Sequence, residues 1–168
     1  MLYDSVEAVD REVDYAALFS RGDPWPAGKG VSVRNVARQM RSAAGVTRLW
    51  LPRAAEYRLV VYLRPDVLFT GDMDLPRLAP RLSDSTIATP YWHKFGGLND
   101  RFAFGNPRPM AAYGLRGAAI PAYMCLGHPP HTEALLLWYA GQLGLANVDS
   151  VTPFVRVRAT GTLAGHDP

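Results

Sequence analysis

The sequence predicts an α/β domain, a sheet flanked by helices. Three observations predict it: a β-branched and aromatic run at residues 57–63, an almost wholly apolar stretch of helical length at 132–143, and short strand-like and helix-like segments alternating between them. The chain has 168 residues, enough for one domain with a real core and too few for two ordinary ones. Its 48% apolar and 20% charged residues give an ordinary globular balance that argues against wholesale disorder.

Residues 1–30 mix acids with Tyr15, Phe19 and a Gly-Asp-Pro-Trp-Pro-Ala-Gly-Lys-Gly stretch whose prolines and glycines forbid regular structure. They read as an irregular segment, one short helix and then a loop. The core spans 31–161, and 162–168 form a tail. From Ser32, the apolar positions Val33, Val36, Ala37 and Met40 recur at helical spacing. Ser32 can cap this helix, Gly45 can end it, and Arg34, Arg38 and Arg41 face outward. The run at 57–63 reads as a buried strand, followed at once by Arg64-Pro65-Asp66. Shorter strands follow at 86–89, broken by Pro90, and at 101–104, before Gly105. A helix fits 109–116 with proline in its first turn. The stretch 132–143, with Leu135, Leu136, Trp138, Tyr139 and Leu143, reads as a largely buried helix. The alternation Val155-Arg156-Val157-Arg158 reads as a half-exposed strand.

The formal charge of +3 comes from sixteen Arg and only two Lys, Lys29 and Lys94, against fifteen acidic residues. Dispersed arginines suit bidentate binding of phosphate or carboxylate. A GC-rich genome accounts for the same bias. No basic run alternates with aromatics, so no nucleic-acid partner is expected. The one cysteine, Cys125, cannot form an internal disulfide or a thiolate metal cluster and reads as a small core residue. No segment has the uninterrupted apolar length of a membrane span, and the opening residues, with Asp4, Glu7 and Asp10, lack a signal-peptide pattern. As written the chain is expected in the cytoplasm; with an upstream anchor it would belong in the Golgi lumen.

Three constellations could carry chemistry. Arg64-Pro65-Asp66 follows a strand, and ligands of open α/β sheets sit outside the carboxyl ends of strands. A surface salt bridge or turn cap explains it equally well. The segment 91–105 combines Tyr91, Trp92, His93 and Phe95 with Gly96-Gly97 and Asn99-Asp100-Arg101: flat faces, a closely approachable backbone, an amide, a carboxylate and a guanidinium. Its plain alternative is a hairpin turn. In His128-Pro129-Pro130-His131-Thr132-Glu133 the prolines deny the i, i+4 helical geometry of a zinc site, while His131 or Thr132 can cap the following helix with Glu133 in its first turn.

Taken in order, Leu-Arg-Pro-Asp-Val-Leu-Phe, Ile-Ala-Thr-Pro, Gly-Gly-Leu-Asn-Asp-Arg-Phe-Ala-Phe-Gly, His-Thr-Glu and Phe-Val-Arg-Val-Arg resemble a family of GT-A-like glycosyltransferases of algae, large viruses and bacteria, from about residue 31 to 160. The resemblance implies a partial GT-A (Rossmann-like) mixed sheet flanked by helices, without the opening nucleotide-binding strand and helix. It implies a nucleotide-sugar donor, a glycan or glycoconjugate acceptor, and a divalent metal, Mn or Mg, at Asp66. Here Arg-Pro-Asp stands where such enzymes usually carry Asp-x-Asp, so Arg64 can itself neutralise phosphate charge. Asp72-Met73-Asp74 matches Asp-x-Asp literally but reads as a loop turn. Asp100 is the implied catalytic base or acceptor-binding carboxylate, supported by Asn99 and Arg101; Trp92, His93, Gly97, His131 and Glu133 are implied cleft residues.

Two other readings stand beside it: a carbohydrate-binding pseudoenzyme stacking sugars on Tyr91, Trp92 and Phe95, and a metal hydrolase built on His128, His131 and Glu133. The shared-cleft reading requires the carboxyl ends of strands 57–63 and 101–104 on one side of one sheet. It also expects the helix at 132–143 to pack on that sheet, burying Leu136 and Tyr139.

Overall fold

Strand β4 (Phe102–Gly105) is buried at every position, and the rest of the molecule is arranged around it. The computed structural model describes residues 6–25, 30–158 and 160–164. A four-stranded sheet runs in the order β1 (Val60–Leu63), β4, β3 (Thr86–Pro90), β5 (Ala146–Ser150). The β1–β4 and β4–β3 pairs are antiparallel and β3–β5 is parallel, so the protein is α/β with a mixed sheet. A second, two-stranded antiparallel sheet joins β2 (Val67–Phe69) to β6 (Phe154–Arg156).

Alternation along the strands builds two apolar layers. Ala103 and Ile87 point to the helical side, where Met110 and Tyr113 of α5 (Pro107–Leu115) and Leu136 and Ala140 of α7 (Thr132–Gln142) cover them. Phe102, Phe104, Ala88 and Val148 point the other way, onto Phe154, Val67, Phe69 and Leu78 of the short helix α4 (Leu75–Leu78). Each fully buried phenylalanine contributes about 1.5–3 kcal/mol by leaving water. The helix expected at 132–143 does pack on the sheet; it buries Leu136 and leaves Tyr139 half-buried.

Helix α3 (Val31–Trp50) buries Val33, Val36, Ala37 and Met40, the stripe read from the sequence. It is capped by Gly30, at φ 83, rather than by Ser32, and it runs through Gly45. The last turn is held by tertiary contacts that outweigh the glycine: the Thr47 hydroxyl meets the Tyr62 hydroxyl, which also accepts the Trp50 indole N–H at 3.0 Å. Gly114 lets α5 approach there, where a Cβ would collide with Thr47 and Tyr62. The N-terminal segment carries two helices, α1 (Val6–Glu12) and α2 (Tyr15–Phe19). Ion pairs Arg38–Asp10 and Arg41–Glu12 tie α1 to α3, and the third outward arginine, Arg34, lies 5.7 Å from the Tyr15 ring centroid. The bonds from Arg38 and Tyr15 hold the Asp10 carboxyl at about 2.

Three expectations are corrected. The run at 57–63 forms a strand only at Val60–Leu63, and it is an edge strand whose Val61 and Leu63 are exposed, because no described strand lies beyond β1 in the sheet. The carboxyl end of β1 meets the amino end of β4, since the two are antiparallel; Asp66 and Asp100 still share one end of the sheet because each flanks the Arg64–Arg101 contact. Cys125, at the end of α6 (Ile120–Cys125), is exposed, while Tyr123 and Met124 take the buried positions. No helix among the described residues is long and apolar enough to cross a membrane.

Candidate functional site

Beyond β1 the chain turns at Pro65, closed by the Val67 N–H donating to the Arg64 carbonyl at 3.3 Å. The turn places Asp66 against the Arg64 fork, with Nε and Nη2 on its two oxygens at 2.9 and 2.8 Å. Arg156 of β6 reaches Asp66 Oδ2 at 2.9 and 3.2 Å. Burial raises the Asp66 pKa, but the bonds from Arg64 and Arg156 outweigh it and hold the carboxyl below its ordinary range. Arg64 Nη1 points on to Asp100 Oδ1, 4.0 Å away.

Asp100, just before β4, has no side-chain exposure. Its Oδ2 accepts from Arg116 Nη2 at 3.1 Å and from the Gln39 amide of α3. Oδ1 has no hydrogen-bond partner. Arg116 is itself buried: Nη1 donates to the Tyr113 carbonyl at 2.8 Å and the guanidinium lies 4.2 Å from the Tyr113 ring centroid. Burial pushes the Tyr113 hydroxyl up, so it stays protonated and donates to the Asp100 carbonyl at 3.0 Å.

Arg101 is 6% exposed, forms no ion pair among the described residues, and leaves Nε unpartnered. Nη1 touches Asn99 Oδ1 at 3.3 Å. Burial, then repulsion from Arg156, hold its pKa below normal. Between α3 and this end of the sheet lies a cavity of about 640 Å³, reached by Gln39 and Val46 from the helix, by Leu63 and Arg64 from the strand, and by Asp100 and Arg101. Its charged end is mainly guanidinium, which suits an anion with several oxygens better than a cation. Among the described residues no three His, Cys, Asp or Glu side chains are grouped to hold a metal. A metal at Asp66 would have to share a carboxylate whose two oxygens already accept from Arg64 and Arg156.

The remaining predicted residues fall outside this cavity. Asn99 is fully buried and holds the loop, accepting from Arg101 N at 3.0 Å and donating to the Trp92 carbonyl at 2.7 Å. Trp92 stacks on Phe154 at 5.0 Å, as part of the core. Gly97 packs against α7, where a Cβ would collide with the Glu133 carbonyl, so its close approach is to the protein's own backbone. His93 and Phe95 adopt φ of 48 and 44, unusual for non-glycine residues, and stack at 5.4 Å. Phe95 also meets Trp25 edge-on at 5.5 Å and carries the Arg101 guanidinium 5.5 Å from its ring centroid.

His131 caps α7, Nδ1 accepting the Ala134 N–H at 3.2 Å, and lies 5.6 Å from Trp25. The adjacent Glu133 is 9% exposed and accepts from Thr132 at 2.7 Å. His128 is exposed and stacks on Tyr123 at 4.8 Å. Asp74 of the literal Asp-x-Asp is structural: it accepts from Ser150, Thr152 and the Val151 N–H at 2.7–3.0 Å.

Sequence reasoning missed Gln39, Arg116 and Arg156 as site residues. Arg116 did carry a signal, a lone charge inside the apolar stretch from Met110 to Ile120, which marks a buried ion pair. Comparison with known proteins finds no matching family model, no matching curated protein and no matching solved structure.

Proposed function

We propose that the cavity binds the diphosphate of a nucleotide-sugar and that the chain is the core of a glycosyltransferase, moving a sugar to a glycan or glycoconjugate acceptor. The observation carrying this reading is the meeting of Arg64, Asp66, Asp100, Arg101 and Arg156 at one end of the sheet beside a cavity of nucleotide size. Three of the motifs that resemble the GT-A-like family, far apart in sequence, supply these five residues.

In this reading Arg64 and Arg101 bind the diphosphate oxygens and stabilise the charge that develops as the diphosphate leaves. Asp100 Oδ1, the carboxylate oxygen without a partner, is the one that would receive the acceptor hydroxyl and its proton, which requires the cavity wall over this buried oxygen to open as the acceptor binds. Asp66 holds Arg64 in place and is the residue that would take a divalent metal, whose part would be to neutralise the same oxygens. A second reading, sugar binding without transfer, is favoured by the half-exposed rings of Trp25, Tyr91 and Phe95 and by the hold of Arg116 and Gln39 on Asp100.

Calorimetric titration with a panel of nucleoside diphosphates and sugars, with and without manganese, tests both. Arg64→Ala should weaken nucleotide binding by about ten- to a hundredfold, the loss of one charge-assisted contact of about 1.5–3 kcal/mol. Asp66→Asn separates the two phosphate chemistries. Weaker binding only with manganese present assigns the metal to Asp66, and unchanged or tighter metal-free binding assigns the diphosphate to the arginines. Glycan binding without any nucleotide binding would replace the first reading by the second.

A further inference from the structure

A second cavity, of about 590 Å³, lies on the other face of α3 from the nucleotide cavity, and the two share no lining residue. Ala37, Met40, Ala44 and Arg48 line it at steps of three and four residues, so they form one stripe about 16 Å long on the helix, whereas Gln39 and Val46 fall on the opposite side. Ile120 and Met124 of α6 contribute a second wall, and Val13 and Leu18 bring in α1 and α2. Neither of those two helices has a buried residue. Ion pairs, Arg38–Asp10 and Arg41–Glu12, hold α1 against α3, and small side chains such as Ala17 and Ala44 leave the space between the helices unfilled.

Water finds few polar partners in such a recess, so an apolar occupant is favoured, and the volume is that of a small-molecule site. The charged groups that line it are mainly cationic. Arg41 is taken by Glu12, and Asp14, the one carboxylate in the lining, caps α2 by accepting the Ala17 N–H at 3.0 Å. Arg21 and Arg48 form no ion pair and no side-chain hydrogen bond among the described residues. An apolar stripe with unpaired guanidinium groups in its lining is complementary to a molecule that is apolar along its length and anionic at one end. We propose that this cavity binds a monomeric amphipathic carboxylate, its unbranched hydrocarbon chain lying along the α3 stripe between Met40 and Met124 and its carboxylate held by the lining arginines. Methionines suit this role because their flexible thioethers adapt to a chain of variable length. The inference is independent of the nucleotide-sugar reading, since it uses the opposite face of α3.

Cys125, the only cysteine of the chain, is exposed and also lines this cavity, so its alkylation reports occupancy. Calorimetric titration of the full chain with decanoate, kept below its micelle concentration, is combined with iodoacetamide alkylation of Cys125. We expect saturable one-to-one binding and alkylation that slows as the site fills. Arg48→Gln or Arg21→Gln should weaken decanoate by about tenfold, and decanol, with the same chain and no charge, should bind the parent weaker by about the same factor. Ala44→Phe should fill the cavity and remove binding at an unchanged fold; if it fails to fold, Ala118→Phe, at an exposed position of the lining, decides. No saturable binding, binding that leaves Cys125 alkylation unchanged, decanol binding as tightly as decanoate, full affinity in both arginine variants, or full affinity in a folded phenylalanine variant would each overturn the proposal.

Discussion

Arg116→Met would leave the Asp100 carboxylate without side-chain exposure and with Gln39 as its one remaining side-chain donor within hydrogen-bond distance. Methionine keeps most of the aliphatic volume, so the loss is mainly electrostatic: the 3.1 Å bond to Asp100, the 2.8 Å bond to the Tyr113 carbonyl and the contact with the Tyr113 ring. Stranding one member of a buried pair costs about 3–5 kcal/mol. In a domain of this size each kcal/mol lowers the melting temperature by about 2–4 °C, so a fall of about 10 °C is expected. Asp100→Asn should cost a comparable amount by stranding Arg116. The double variant should cost at least about 2 kcal/mol less than the two singles together, because it removes both charges. Urea unfolding followed by tryptophan fluorescence measures all three. Single losses below about 1 kcal/mol, or a double loss equal to their sum, would refute the buried-pair argument. Unfolding must be measured before turnover, because lost activity in Asp100→Asn bears on catalysis only where the variant stays folded.

Gly97→Ala should destabilise by several kcal/mol, or block folding, since its Cβ meets the Glu133 carbonyl of a packed helix; a melting temperature within error of the parent would refute the packing. Gly45→Ala should stabilise by about 1 kcal/mol, as the position is helical, exposed and open around a Cβ. Burial raises the Asp74 pKa, but bonds from Arg77, Ser150, Val151 and Thr152 outweigh it and hold the carboxyl at about 2. A depressed carboxyl contributes stability above its unfolded pKa and loses it as pH falls through the folded value. About 2 kcal/mol should therefore disappear between about pH 4 and pH 2 in acid unfolding, and Asp74→Asn should lack that component.

Periodicity made α3, β3, β4, α5 and α7 legible, because each carries its own apolar pattern, while the alternation at 155–158 overlaps β6 only at Val155 and Arg156. β5 was not legible: Asn147 and Asp149 stand out from Ala-Asn-Val-Asp-Ser, and its strand identity comes from parallel pairing with β3. β2 is three residues long, too short for any period. Two parts of the site could be read as local motifs, Arg64-Pro65-Asp66 and Asn99-Asp100-Arg101. Their union with Gln39, Arg116 and Arg156 depends on chain crossings that no local pattern records. Gly97 shows the ambiguity of single residues: the glycine promised a close approach, and only the fold reveals that the neighbour is α7.

Both sheets are closed by late-arriving chain. Ala146 pairs with Thr86 and Arg156 with Val67, and Phe154 sits at the centre of the aromatic layer that β2 and β4 share. Contacts this distant along the chain slow folding, since the loops they close must be ordered before any reward arrives. During synthesis, β2 and β3 would wait with open edges until residues 146–156 have left the ribosome. A nascent chain stalled before that point exposes Phe69 and Phe102 to whatever else is in solution, so the final strands act as a kinetic latch, and their delay sets how long the unfinished protein is at risk of aggregation.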